Sequence, residues 1–391
     1  MNSRIFILSI LVLFVFVSAA QAQRIITQEE AIQLAIQQHP LLKAYNSRVG
    51  ASHAMEKTAV SLANPSIYTE APTGNFYTIG ISQTLEFPTV YSRQSAALKA
   101  QTDVSIKQLE LVKRELILEV SKAFAEAQYA VTLAENLRLQ DSLYSALQLA
   151  AQRKFDAGEI DAMQNSFATL QHGLVHQQWM KAQHDERIAL HQLTHSFADS
   201  SLVTVALFHE AQIQTFNVEM KPQSAIIDLA NSVVLASEKN LSAQKSRAMP
   251  GLMFGYLNQG QRGSDSQYNF QAGITIPVWW WQYSAKNKAT KAAHEAAKFE
   301  LQATELEVHT LQVQHLEELQ SAQINLNYYI QSALPLAEQL RNQSQRFFEA
   351  GESDYMQHLR TLNDVLQVRI QYITAARDYA LAIAEIQFIQ H

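Results

Sequence analysis

The sequence is written twice. Arg153 to Gln164 reads RKFDAGEIDAMQ, and Arg346 to Gln357 answers with RFFEAGESDYMQ. Phe155/Phe348, Ala157/Ala350, Gly158/Gly351, Glu159/Glu352, Asp161/Asp354, Met163/Met356 and Gln164/Gln357 all stand 193 residues apart. The same spacing joins Gly80 to Gly273 inside two strand-like runs, while Tyr91-Ser92 and Tyr283-Ser284 stand 192 apart, a slip of one residue. The repeated unit is therefore a whole module of helix, hairpin and helix pair, and any function must use two quasi-equivalent copies per chain. We read residues 23–217 as the first copy and 218–391 as the second.

Ahead of the first copy, Arg4 precedes an apolar run from Ile5 to Val17, and small residues lead to Ala20-Gln21-Ala22. This pattern reads as a secretory signal over residues 1–22, cleaved after Ala22. A membrane anchor is the competing reading, but the run is shorter than the roughly 20 residues needed to cross a bilayer core. There are no cysteines, so disulfides, thiolate metal sites and a lipidated N-terminal cysteine are all excluded. A net charge of −6 without long single-sign blocks argues against a nucleic-acid partner. Only 11 glycines and 8 prolines punctuate 391 residues, which implies long uninterrupted helices.

Thr27 and Glu30 form a capping-box pattern that opens a helix interrupted at Pro40 and ending before Pro65. The period then changes to two. Tyr77, Ile79, Ile81, Gln83 and Leu85 alternate with Thr78, Gly80, Ser82 and Thr84, predicting a strand over about 76–87. A weaker partner strand occupies about 65–71, with the turn at Pro72-Thr73-Gly74-Asn75. In the second copy, strands are expected over about 251–259 and 267–278, joined through Gln261 to Ser266. Most of these runs are near the nine to eleven residues of a tilted strand in an outer membrane, with alternate residues facing lipid and lumen.

From Tyr91 to Asp156 there is neither Pro nor Gly, enough for a helix of roughly 100 Å. Val112, Leu116, Val120, Ala123, Ala127, Ala130, Ala134 and Leu137 step by threes and fours, the spacing of a close-packed coiled coil. The second copy repeats the length but contains Pro335, which should kink it. Gly158 and Gly351 end these helices, at tip turns 157–159 and 350–352, and return helices follow over about 161–197 and 354–389. Four membrane strands cannot stand alone in lipid, so closure must come from other chains.

The AIQLAIQQHPLL opening, the GISQTLEFP and GITIPVWWW strands that lead into long helices, and the paired AGE turns together resemble the outer-membrane efflux proteins, the TolC-like channels. The likeness covers essentially the whole mature chain, and the PVWWWQYSAKNKA junction is most similar to the outer components of heavy-metal and cation tripartite pumps. It implies a mainly α fold with membrane β: long coiled-coil helices plus four strands per chain. Three chains would complete a twelve-stranded β-barrel and a periplasmic α-helical barrel. The implied function is the exit duct of a tripartite efflux system in the cell outer membrane, passively conducting substrates that include metal cations. The implied partners are a homotrimer, a periplasmic adaptor, an RND-type inner-membrane pump and outer-membrane lipid. No cofactor is expected. The alternative is a periplasmic coiled-coil adaptor, which would carry a lipoyl-like β-domain; a helical protein without a pore is a third reading.

The resemblance makes Ala157, Gly158, Glu159, Ala350, Gly351 and Glu352 the adaptor-docking tips, against a plain role in helix termination. It locates a periplasmic gate just beyond them. There this chain has Gln164, Gln357 and Arg360 in place of acidic residues, with Asp161, Asp354 and Tyr355 as further candidates. Helix capping and a solvated face are the plainer account of those positions. Phe87 and Trp279-Trp280-Trp281 are expected in a membrane-interface girdle, with ligand stacking as the alternative for the tryptophans. His172/His176 and His191/His195 are helical i,i+4 pairs with His184 between them; lacking an evident further ligand, they read as solvated faces, and no metal site is expected. No nucleophile–base motif, P-loop or dinucleotide fingerprint occurs, so no enzymatic activity is expected.

Overall fold

The computed structural model describes residues 24–70, 76–198, 203–208, 224–261, 265 and 267–390. The expected signal segment and the Pro72–Asn75 turn lie outside them, as does most of the Gln261–Ser266 connection. The chain divides into two compact units. One holds described residues 41–70, 76–113, 224–261, 265 and 267–311; the other holds 24–40, 114–198, 203–208 and 312–390.

The first of these units is built on an antiparallel sheet. Strands β2 (Ser66–Glu70), β3 (Phe76–Leu85), β5 (Gly251–Gln261) and β6 (Gln267–Thr275) pair in the order β2-β3-β5-β6. Register places Ile67, Ile81, Tyr256 and Phe270 in one cross-strand row, and Thr69, Ile79, Asn258 and Tyr268 in the next. Leu85, Leu252 and Ile274 extend the same face. The opposite face carries the rows Tyr68, Gly80, Leu257, Asn269 and Ser66, Ser82, Gly255, Gln271. Because side chains alternate across a pleated strand, the register sorts apolar and aromatic residues onto one face and small or polar ones onto the other. The apolar face is uncovered: Ile67, Ile81, Tyr256, Phe270 and Ile274 are all exposed. Diagonal aromatic pairs knit it, Phe254 with Phe270 at 6.4 Å and Tyr256 stacked on Tyr268 at 6.0 Å.

On the small-residue face the Tyr68 ring lies over Gly80. A Cβ at Gly80 would sit 2.5 Å from the tyrosine ring, so only glycine admits this packing. The Tyr68 hydroxyl reaches Gln271 on the fourth strand at 3.5 Å.

Two strand ends are shorter than expected. β3 stops at Leu85 rather than 87, because Pro88 opens the following helix at its first position and Glu86–Phe87 serve as the connection. There the Tyr91 hydroxyl accepts from the Glu86 amide at 2.9 Å. β6 stops at Thr275 rather than 278, because Pro277 has no N–H to donate to a ladder. β5 instead runs two residues beyond the expected 259.

The helices of this unit are α2 (Pro40–Glu56) with a short 3₁₀ turn after it, the start of α3 (Pro88–Asp156), α5 (Ala225–Ser246) and most of α6 (Trp280–Tyr328). Polar bonds tie them across their seams. Ser52 meets Ser105 at 2.8 Å, Ser237 meets His294 at 2.8 Å, and Lys107 reaches Asp228 at 3.4 Å.

The other unit begins with β1 (Arg24–Ile26) and α1 (Gln28–Gln38), whose capping box is complete. Thr27 Oγ1 accepts from the Glu30 amide at 3.2 Å, and the Glu30 carboxylate accepts from the Thr27 amide at 3.3 Å. β1 pairs in parallel with β4 (Val203–Val205), a contact that joins the chain's start to the segment linking its halves. The long α3 continues here, followed by α4 (Ala162–Ser196). After α6 comes a π-helical turn, Tyr329–Ala333, then α7 (Leu334–Glu349) and α8 (Tyr355–Gln390). Pro335 does not break the helix. It lacks the N–H for an α-helical bond and its ring crowds the carbonyl four residues back, and the widened turn immediately before it absorbs both demands.

Of the predicted α3 seam, Val112, Leu116, Val120, Ala127, Ala130, Ala134 and Leu137 are buried, and Ala123 is half-buried. Two cores organise the unit. Ala134, Leu137, Tyr144 and Ala151 of α3 pack with Ala168, Val175 and Ala182 of α4 and with Tyr355, Leu359, Leu362 and Leu366 of α8. Leu319 and Leu326 of α6 pack with Tyr372, Ile373, Ala376, Tyr379 and Ile386 of α8. The alanines permit close approach of helix axes, which is why seams so poor in large residues are well buried. Ion pairs border the seams: Lys122 with Glu385, Arg369 with Glu338, and Arg377 with Glu126 at 3.9 Å.

Candidate functional site

At both tips the chain reverses by the same set of hydrogen bonds. After α3, the Gly158 amide donates to the Phe155 carbonyl at 2.9 Å and the Glu159 amide to the Lys154 carbonyl at 2.8 Å. After α7, Gly351 donates to Phe348 at 3.1 Å and Glu352 to Phe347 at 2.9 Å. This is the Schellman closure, in which a left-handed residue turns the last amides back onto orphan carbonyls. Gly158 and Gly351 have φ of +75° and +76°, a region costly for any residue with a Cβ. Their surroundings are open, with nothing within 4 Å of where a Cβ would be. Ala157, Gly158, Glu159, Ala350, Gly351 and Glu352 are all exposed.

The returning helices also start alike. Asp161 Oδ1 accepts from the Gln164 amide at 2.8 Å, and Asp354 Oδ1 accepts from the Gln357 amide at 2.6 Å. Both aspartates are thus N-caps, and Gln164 and Gln357 supply the capped amides. Arg360 is exposed on α8.

Beyond the caps the two tips diverge. Tyr355, in the place Ala162 holds in the first copy, is buried and donates its hydroxyl to the Leu147 carbonyl of α3 at 2.5 Å. Burial pushes its phenol up to about 12. His358, in the place of Asn165, is only 1% exposed. Its ring stacks on Phe348 at 4.7 Å and its Nδ1 lies 2.8 Å from Ser344 Oγ. The first tip has lighter fastening: Asn165 donates to Gln152 Oε1 at 3.0 Å near the surface. The start of α8 is therefore held by buried Tyr355 and His358, where the start of α4 carries the surface Asn165–Gln152 bond beside its buried alanines.

Burial holds the His358 imidazole below its ordinary value of 6.5, against the opposing pull of Ser344 and Glu349. The unfolded chain then binds more protons than the folded one as pH falls from 6.5 toward the lowered value. Stability is lost on acidification through that window, with a slope of at most about 1.4 kcal/mol per pH unit for one proton. Melting followed across the window should show a flatter pH dependence in His358→Gln; an unchanged slope would assign the acid sensitivity elsewhere.

The girdle candidates lie in the sheet-bearing unit. Phe87 and Trp279, Trp280 and Trp281 are all exposed, and the tryptophans contact each other edge-on, with ring centres 5.1 and 6.4 Å apart. His184 meets Arg187 at 3.0 Å, and His191 and His195 lie on an exposed face of α4. Among the described residues, no helix is long and apolar enough to cross a membrane.

The fold is that of the TolC-like outer-membrane efflux channels: long paired helices with four antiparallel strands contributed by one chain. Among solved structures, CusC matches with a TM-score of 0.79 at 13% identity, covering 95% of each chain. A membrane protein from Pseudomonas aeruginosa matches at 0.78 and 12% identity, over 95% of this chain and 91% of that one. The CmeC outer-membrane channel of Campylobacter jejuni matches at 0.75 and 13% identity, over 95% and 89%. No protein-family profile and no curated protein sequence matches this chain.

Proposed function

We propose that this chain is the outer-membrane exit duct of a tripartite efflux system, acting as a homotrimer. The observation that carries the reading is the four-stranded sheet, which exposes a continuous apolar and aromatic face and ends in open edges at β2 and β6. In hydrocarbon an unpaired strand edge leaves backbone N–H and C=O groups unsatisfied, so those edges require neighbours from other copies. Three copies supply twelve strands, an even-numbered barrel with a lumen lined by the small and polar face. Exposed apolar stripes on the helices also call for a second copy. Phe299, Leu306 and Val313 recur every seventh residue on α6, and Leu336, Leu340 and Phe347 follow coiled-coil steps on α7.

In this reading residues 23–217 and 218–391 are structural repeats arranged around the channel axis, behind a cleaved signal at 1–22. The exposed Ala157–Glu159 and Ala350–Glu352 turns dock a periplasmic adaptor, and an RND-type inner-membrane pump supplies the energy. Asp161, Gln164, Asp354, Tyr355, Gln357 and Arg360 form the periplasmic gate, with the Tyr355–Leu147 bond as one of its fastenings. Phe87 and the three tryptophans sit at the membrane interface. The duct performs no catalysis, and its cargo is set by the pump; metal cations are the class implied by the likeness to heavy-metal pump components. The adaptor reading is the weaker one. Its lipoyl-like domain has no counterpart among the described residues, whose strands form the β2–β6 sheet and the short β1–β4 pair.

The test is to fractionate membranes, purify the oligomer in detergent, measure its mass and record its conductance in a planar bilayer. A conducting trimer from the outer membrane is expected. A soluble, non-conducting monomer would remove the duct reading and restore the adaptor.

A further inference from the structure

We propose that Asp141, His172 and His176 form a binding site for a divalent transition-metal ion of borderline softness, with Zn²⁺ as the best-fitting member of that class. His172 and His176 stand one turn apart on α4, so both imidazoles emerge from the same face. That face meets α3, where Asp141 projects between them. Asp141 Oδ1 lies 3.5 Å from His172 Nε2 and 3.1 Å from His176 Nδ1, and the three ligand atoms lie within 4.8 Å of one another. Two ligands on one tetrahedral zinc, each about 2.0–2.1 Å from the ion, are about 3.3 Å apart. Both oxygen–nitrogen separations bracket that value, and only the two imidazoles must draw together around an ion.

The setting favours an ion over a chance surface pair. The Asp141 side chain is 15% exposed and His172 23%, whereas His176 is 50% exposed, so the cluster has a sheltered floor and one open side. Three protein ligands with an open position leave room for water as a fourth. The Trp179 ring, edge-on to His176 at 5.6 Å, narrows the swing of the most exposed ligand. Two imidazole nitrogens and one carboxylate oxygen suit Zn²⁺, Ni²⁺, Co²⁺ or Cu²⁺. Calcium and magnesium prefer all-oxygen shells, and Cu⁺ prefers thiolate or thioether sulfur.

The second half of the chain does not repeat the cluster. At the 193-residue spacing Asp141, His172 and His176 correspond to Leu334, Val365 and Arg369, and Arg369 pairs with Glu338 instead. One ion per chain is therefore the stoichiometry, and its effect is to bridge α3 to α4. The site stands on the geometry of these two helices alone, so its failure would leave the duct reading untouched.

The test uses full-length protein in detergent, stripped with chelator and titrated with ZnCl₂ by calorimetry, in parallel with thermal melting. Changing a group that only hydrogen-bonds to a metal's ligands already costs 10–100-fold in affinity. Loss of a ligand in Asp141→Asn, or of two in His172→Gln/His176→Gln, should therefore weaken the one-to-one event at least about 100-fold. It should also abolish the zinc-dependent rise in Tm. His191→Gln/His195→Gln should keep both, and MgCl₂ should produce neither in any variant. The site is refuted by zinc bound as tightly in the Asp141 and His172/His176 variants as in the parent, by loss of binding confined to the His191/His195 variant, or by no one-to-one event in the parent.

Discussion

Replacing Gly158 and Gly351 together with valine should abolish export while the protein still reaches the outer membrane. Both glycines occupy the left-handed region, at φ of +75° and +76°, where a Cβ costs roughly 1–2 kcal/mol and a branched one is a steric outlier. No neighbouring atom would clash with the new side chain, so the penalty is carried by the backbone itself. Relief comes from abandoning the Schellman bonds from Glu159 to Lys154 and from Glu352 to Phe347, which reshapes the exposed turns. Core contacts of Tyr355, Leu359 and Leu366 with α3 and α4 lie further along and are untouched, which is why insertion should survive. Asparagine tolerates positive φ, so Gly158→Asn/Gly351→Asn should retain most of the export. The measurement is drug or metal tolerance of a strain whose only outer channel is this protein, with trimer abundance scored in the same membranes. Normal tolerance in the valine variant would remove the tips from the docking surface.

Phe270→Arg should eliminate the assembled oligomer from the outer membrane, whereas Asn269→Arg, one residue away, should insert and change the conductance. Phe270 lies in the row with Ile67, Ile81 and Tyr256, and Asn269 in the row with Tyr68, Gly80 and Leu257. An arginine on a barrel's lipid face costs about 2–4 kcal/mol near the midplane, and a trimer would bear that cost three times. A lumen arginine stays in water and adds positive charge to the conduction path. Heat-modifiable migration of outer-membrane fractions separates the two variants. Insertion of Phe270→Arg with loss of Asn269→Arg would mean that the faces are assigned backwards.

What could be read from the residues alone was whatever announces itself locally. The period-two alternation from Tyr77 to Leu85 identified β3 and its apolar face, and Thr27 with Glu30 identified the first cap of α1. The glycines of the AGE turns identified both helix ends, because positive φ is a property of single residues. Contacts across long separations were not legible. Tyr355 finds the carbonyl of Leu147 over 208 residues of sequence, and nothing local to either position signals the other. The pair of histidines on α4 was visible as an i,i+4 pattern, but its third partner, Asp141, lies on the far side of the tip turn. Which α3 residue faces which α4 residue depends on how the helices register in space. The β1–β4 pair was missed for another reason: three-residue strands are too short to display a period. For Asp161 and Asp354 the capping bond was legible, since an aspartate just past a helix-ending glycine is a common N-cap, and the structure shows that bond at both.

The π-helical turn at Tyr329–Ala333 also explains a discrepancy in chain length. From Tyr91 to Gly158 the first half covers 67 residues, and from Tyr283 to Gly351 the second covers 68. One additional residue in a continuous α-helix would rotate everything beyond it by about 100°, turning the buried stripe of α7 toward solvent. A π turn holds one more residue per turn than an α turn, so it can accommodate the surplus where it arises. The distal helix then keeps its facing, and Gly351 ends it with the same bonds that Gly158 makes. The widened turn thus works as a phase corrector, letting the halves of the chain diverge in length along a helix while their tips stay in step.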